Sequence, residues 1–331
     1  MYMSQFNYSK ICEDIFKTLP DRQKEILQRR FGILTGERET LDSIGKDFNL
    51  TRERIRQIEK ESFAKMERET EKRELKKVFF YFEKYLKENG GLKREDVLLD
   101  DLGGDKFNKH IYFLLTFADD FFRIPEDNEF YSFWTAEKEV TPKIEGILKS
   151  ILKKFQEINK LLSEDEILKK AKQDPGIIHS LLEIAKKIEQ EQEGDCYGLT
   201  DWPEIRPKGV KDRAYLVFKK EQKPLHFVDI ASLIDEKAHA QTVHNELIKD
   251  ERFVLVGRGT YALREWGYEP GTVHEIIFKV LEKEKNPVSK EQLLKKVQKQ
   301  RLVKDNTILL NLSNKKYFLK DENGKYSLKS F

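Results

Sequence analysis

Apolar residues recur three or four positions apart along most of the chain, with short alternating runs between, so helices are expected to dominate and strands to come in pairs. Ile11, Ile15 and Leu19 predict a short first helix. Pro20 opens a second that carries Ile26, Leu27 and Phe31 until Gly32 stops it. Thr40 is a good N-cap ahead of Leu41, Ile44 and Phe48, Asn49 and Leu50 break the pattern, and Thr51 caps another helix. Two helices joined by so short a break form a helix-turn-helix. No Gly or Pro follows from Thr51 to Lys87, so the second helix is expected to run through the charged patch ERETEKRE, read as a helical or briefly broken linker, with Gly90-Gly91 as the stop.

The helix after Thr51 has two chemically distinct faces. Counting about 100° per residue from Arg52, the residues Arg56, Lys60, Glu53 and Gln57 fall within roughly 140°, while Ile55, Ile58 and Ser62 fall at roughly 240° to 300°. A solvated helix presents such a polar face too. What distinguishes this one is the choice of donors and acceptors: Arg forks onto guanine O6 and N7, Gln onto adenine, and Glu accepts from cytosine N4.

The wording of the segment adds to that reading. TRERIRQIE, preceded by TLDSIGKDFNL and by LPDRQKEILQRRFGI, closely resembles region 4 of the housekeeping sigma factors of bacterial RNA polymerase, the domain that reads the promoter −35 element. The resemblance runs from Ser9 to Met66. It implies that Arg52, Glu53, Arg56 and Gln57 read bases, that Thr51, Arg54, Lys60 and Arg30 lie near phosphates, and that the polymerase flap is a partner. No sigma-type segment for the −10 element or the main polymerase anchor appears among these residues, so a regulator is expected rather than a working sigma factor.

Downstream, a motif repeats. YSFW at 131, YGLTDW at 197, YALREW at 261 and YSL at 326 recur at intervals of 66, 64 and 65 residues, marking four copies of one unit. Each copy starts with an amphipathic helix (LKKVFFYFEKYL, IEGILKSILKKF, RAYLVFKK, VHEIIFKVLEK), followed by a second short helical segment and a third helix. Copies one, three and four end in two β-like runs around a polar turn, which is the winged-helix plan. Copy two fits poorly, because GIIHSLLEIAKKIEQEQEGDCYGLTDW predicts a long third helix with little room for a first wing strand.

Copy three carries a second resemblance. KPLHFVDIASLI and DERFVLVGRGTYALREWGYEP are similar to the HARE-type helix-turn-helix domain seen in the delta subunit of bacterial RNA polymerase, over residues 211–270. Its third helix holds Gln241, Thr242, His244 and Asn245, which suit either base edges or a protein surface. Copy four is the most basic, with 14 Lys/Arg against 8 Asp/Glu in residues 268–331, as expected of a phosphate-facing surface or of a merely solubilising one. Trp134, Trp202 and Trp266, at matching places in the repeat, are expected to anchor cores rather than to stack on bases.

Composition narrows the function further. The 331 residues are 37% charged with a net charge of +3, which argues against indiscriminate nucleic-acid binding. Cys12 and Cys196 stand far apart without metal-ligand spacing, and the histidines never pair at such spacing. No nucleophile-elbow, phosphate-loop or zinc-protease pattern is present, and GRGTYA reads as a wing turn rather than a dinucleotide fingerprint. No enzyme, cofactor, metal or small-molecule substrate is therefore expected. Lacking a signal peptide or a long apolar run, the protein is expected in the cytoplasm, without a membrane partner.

Together these features predict a mainly α protein with small β-hairpin wings: a helix-turn-helix at 1–73, then winged-helix-like copies at 74–140, 141–208 (atypical), 209–268 and 269–331. The expected function is a sequence-specific transcription regulator that binds promoter-like duplex DNA and RNA polymerase. The alternative is a non-catalytic scaffold on the polymerase whose DNA contact is incidental; steep salt dependence of binding distinguishes the first from the second.

Overall fold

The computed structural model describes residues 6–67, 73–192, 194–235, 237–284 and 286–329. The chain divides into two compact units, Met1–Asp201 and Trp202–Phe331. It is mainly α, with small antiparallel sheets of two or three strands.

In the first unit, α1 (Tyr8–Phe16) and α2 (Asp21–Arg30) precede the helix-turn-helix of α3 (Leu41–Asp47) and α4 (Arg52–Met66). Most of the charged linker, residues 68–72, lies outside the described residues. The first winged helix then follows: α5 (Arg73–Glu88), β1 (Leu92–Arg94), α6 (Glu95–Phe117), β2 (Phe122–Ile124) and β3 (Phe133–Thr135). Gly90 and Gly91 both take positive φ after α5, ending it as the sequence predicts. A break at Gly104, with φ 55°, divides α6 into the second and third helices of the plan. The sheet order is β1-β3-β2, the first strand pairing with the last.

The second copy departs from expectation. After α7 (Val140–Ile158), β4 (Leu162–Ser163) and α8 (Glu164–Ala171), the third helix α9 covers only Pro175–Ile184, leaving room for β5 (Ile188–Gln190) to pair with β6 (Cys196–Leu199). The apolar run that suggested a longer helix is cut short at Ala185. That residue is extended and bridges Phe130 of the first copy, while Lys186 N–H donates to the Glu129 carbonyl and Tyr131 N–H to that of Ile184. A tertiary contact overrides local helical propensity here.

The third helices of this unit are buried. In α6, Ile111, Phe113, Leu114 and Leu115 are fully enclosed, and Phe113 packs on Phe16 of α1 and on Phe31 at 4.8 and 5.2 Å between ring centroids. Residues on both sides of position 73 thus share one core, which includes Tyr8, Leu27, Phe82, Leu98 and Trp134. In α9, Glu183 forms a buried ion pair with Lys93 of β1 at 2.5 Å, and Ser180 Oγ donates to the Asn89 carbonyl. Trp134 is enclosed, its indole N–H donating to the buried Glu95 carboxylate at 3.0 Å, and Arg123 forks onto the same group.

The second unit repeats the plan twice. Its first copy has α10 (Val210–Glu221), β7 (Leu225–His226), α11 (Phe227–Ile234), α12 (Ala240–Lys249), β8 (Phe253–Gly257) and β9 (Thr260–Leu263), in sheet order β7-β9-β8. The other has α13 (Val273–Lys283), α14 (Lys290–Gln298), α15 (Asp305–Leu312), β10 (Phe318–Lys320) and β11 (Tyr326–Leu328), with a single bridge from Val288 to Tyr326 in place of the first strand. The two are joined by Leu302 N–H donating to the Val256 carbonyl at 2.7 Å and by Arg301, only 3% exposed. Its guanidinium donates to the carbonyls of Glu269, Gly271 and Gln300. Trp266 is partly buried and meets Phe218 edge-on, whereas Trp202 is half-buried.

Candidate nucleic-acid interface

The helix-turn-helix is built on a small core of its own. Ile26 of α2, Ile44 of α3 and Ile55 and Ile58 of α4 are buried together, with Leu41, Phe48 and Leu50 packed around them. Both helices begin on threonine caps: Thr40 Oγ1 accepts from Ser43 N–H and Thr51 Oγ1 from Arg54 N–H. The turn between them is tight. Asn49 takes φ 54°, Leu50 N–H donates to the Gly45 carbonyl at 2.8 Å, and a Cβ on Gly45 would sit 2.6 Å from the Leu50 carbonyl oxygen. Only glycine fits at that position.

Arg29 fixes the angle between helices. It forks onto Glu39 at 2.9 and 2.7 Å, reaches Asp47 at the end of α3, and covers Phe48. Hydrogen bonds to Glu39 and Asp47 raise its pKa further, and its pull holds the Glu39 carboxyl below the ordinary range. Sequence reading missed this positioning role, because nothing in the spacing of Arg29, Glu39 and Asp47 marks them as neighbours.

The polar face of α4 is open to solvent over Arg52, Glu53, Arg56, Gln57 and Lys60, while Ile55, Ile58 and Ser62 are buried; Ser62 satisfies its hydroxyl on the Ile58 carbonyl. Arg56 forks onto Glu53 through Nε and Nη2 at 2.9 and 2.7 Å, using the same donors it would offer guanine. That bond lowers the Glu53 pKa. Both side chains are more than half exposed, so the pair is readily exchanged for another partner. Arg54 lies to one side, bonded to Gln57 and Glu61 at 3.1 and 3.3 Å.

The residues expected near phosphates fall into two groups. Thr51, Arg54 and Lys60 are exposed on or before α4, and the Thr51 hydroxyl, besides capping, keeps its own proton to donate. Arg30 is held by the protein: it donates to the Glu39 carbonyl at 3.0 Å and lies 3.7 Å from Glu59. Burial pushes the Glu59 carboxyl up, and Arg30 acts against that. Gln241, Thr242, His244 and Asn245 belong to α12 in the other unit. Gln241, Thr242 and Asn245 are exposed; His244 is partly buried, its ring tilted against Phe227 at 4.5 Å between centroids.

A helix held by caps and a core, presenting Arg, Glu, Arg, Gln and Lys outward, is a geometry that enters a major groove. The match is to Sigma-70, region 4, over residues 15–68. This region 4 domain is a DNA-binding helix-turn-helix related to that of sigma factors. Among the described residues, no helix is long and apolar enough to cross a membrane.

Proposed function

We propose that this protein is a transcription regulator that reads a −35-like element in duplex DNA through α4 and works in association with RNA polymerase. The observation that carries the reading is the open face of α4, with Arg52, Glu53, Arg56 and Gln57 on one side of a helix anchored by Ile55 and Ile58. In this mechanism Arg56 exchanges Glu53 for a guanine edge, and the freed Glu53 accepts from a cytosine N4 or faces solvent. Thr51, Arg54 and Lys60 steady the helix on the phosphates. The polymerase association rests on the region 4 match. A docking role is favoured for the first two winged-helix-like copies in particular, because α6 and α9 bury much of their surface against neighbouring elements.

Binding of the intact protein to duplexes with a −35-type hexamer or its scrambled counterpart tests the base-reading claim. A preference for the hexamer is expected, reduced by about tenfold to a hundredfold in Arg56→Ala if the Arg makes a good bidentate base contact. Equal binding of both proteins to both duplexes would overturn it. Capture of RNA polymerase from a lysate that persists after nuclease treatment tests the association.

A further inference from the structure

In the last winged-helix-like copy, the pairing of charges changes along the chain. On α13 and α14, Lys279 and Lys283 bridge Glu269 and Lys296 bridges Glu284, while Lys290 and Lys295 are exposed and in no salt bridge among the described residues. From Lys299 onward the pattern changes. Lys299, Lys304, Lys315, Lys316, Lys320, Lys325 and Lys329 are all exposed, and among the described residues none is in a salt bridge. Residues 299–329 hold three acidic side chains, and two are engaged: Asp305 accepts from Gln298 and Asp321 from the Lys325 backbone N–H.

The lysines from Lys299 onward cluster around the third helix and the wing. Lys304 is the residue before α15, and Lys315 and Lys316 lie between α15 and β10. Lys325 and Lys329 flank β11, on the sheet face opposite the buried Tyr326. Between them α15 exposes Asn306, Thr307 and Leu310, the last 74% exposed. Unlike α6 and α9, α15 has no neighbour over this stripe among the described residues. Like charges gathered without counter-charges repel one another, and an occupant carrying regularly spaced negative charge relieves that repulsion.

We propose that this face is a second DNA-binding surface, on which α15 and the β10–β11 wing grip the phosphates of duplex DNA without reading sequence. The partner is chosen by charge complementarity and by the winged-helix plan, which places the third helix and the wing on one side. The inference goes beyond the reading of α4 and does not depend on any hexamer.

The test uses the intact protein and two duplexes, one with the −35-type hexamer and one scrambled, over a range of salt concentrations. Replacing Lys304, Lys315, Lys316 and Lys325 together by Gln is expected to weaken binding to both duplexes alike. The slope of log affinity against log salt should fall by up to about 3.6, at about 0.9 per lost phosphate contact. The same positions changed to Arg should restore both. Gln at the bridged Lys279, Lys283 and Lys296 is the control and should change neither. Unchanged affinity and slope in the four-Gln protein would overturn the proposal, and so would an equal loss in the control or failure of Arg to rescue. An acidic protein as the true occupant leads to the first of these results. Arg56→Ala alters the preference between duplexes whereas the lysine set lowers both together, so failure of either claim is seen separately.

Discussion

The two units build winged-helix-like copies to one plan and differ in how far the third helix is covered. In the first unit, α6 is enclosed against α1 and Phe31, and α9 against β1, so both serve as internal joints. In the second unit, α12 and α15 keep exposed stripes: Gln241, Thr242, Asn245 and Ile248 on one, Asn306, Thr307 and Leu310 on the other. The difference follows from side chains. The buried helices offer Phe113, Phe117, Leu181 and Leu182 to their neighbours, whereas the exposed stripes are largely polar. A winged-helix topology therefore does not by itself tell which copy can meet a ligand; the outward face of the third helix does.

The sharpest way to break this comparison is Phe113→Ala. Its ring touches Phe16, Phe31, Phe63 and Phe117, and its loss should cost about 3–5 kcal/mol and loosen α6 from the helices behind the helix-turn-helix. Thermal unfolding should show the transition of the first unit fall while that of the second stays in place. If both fall together, the units are not independent.

In the second unit the corresponding joint is Arg301. Burial pushes its pKa down, and carbonyls rather than a carboxylate hold it. Arg301→Met should destabilise that unit by about 3 kcal/mol, because hydrogen bonds to a charged group are lost and carbonyls are left unpaired. Hydrogen exchange is expected to speed up around Leu302 and Val256. Unchanged exchange there would mean that other contacts join the two copies.

The smallest effect concerns pH and belongs to the first unit alone. Burial lowers the pKa of His110 from its ordinary 6.5, against a weaker opposing pull from Glu13, and its Nδ1 has no hydrogen-bond partner among the described residues. A folded-state pKa below the unfolded one means that the unfolded chain binds more protons in between. Stability therefore rises with pH through that window and is lost as pH falls below 6.5 toward the folded value. Melting curves taken on both sides of that value should show the first unit weaken on acidification, and His110→Leu should reduce the dependence. A slope that the substitution leaves unchanged would assign it to other groups.

Much of the helix-turn-helix was legible in the sequence because its signals are local. Thr40 and Thr51 cap as their positions suggest, the isoleucines of α3 and α4 fall on the buried side, and the exposed face holds the side chains expected there. What escaped depends on contacts far apart in the chain. The two- and three-residue strands β1, β4 and β7 are too short to show a period of two, and exist because the last wing strand pairs with them. The wing of the second copy was hidden because Phe130, more than fifty residues earlier, captures the chain at Ala185. Arg30, placed near phosphates by resemblance, is held by the carbonyl of Glu39 and lies beside the carboxylate of Glu59, contacts that no local spacing signals. The excess of lysine in the last copy was countable from the sequence. Which of these lysines are bridged was not, since it depends on which of them find a glutamate.

The burial of Phe113 and Trp134 with Tyr8 and Phe16 also sets a timetable for the growing chain. The isoleucine core of the helix-turn-helix can close as soon as α4 has been made, but Phe16, Phe31 and Phe63 must wait for α6, and the indole that completes this core is added more than a hundred residues after Phe16. At roughly 5–20 residues per second of synthesis, that leaves an aromatic surface uncovered for roughly 5–25 seconds on every nascent chain. During that interval the helix-turn-helix is already shaped while the aromatic surface behind it is still adhesive.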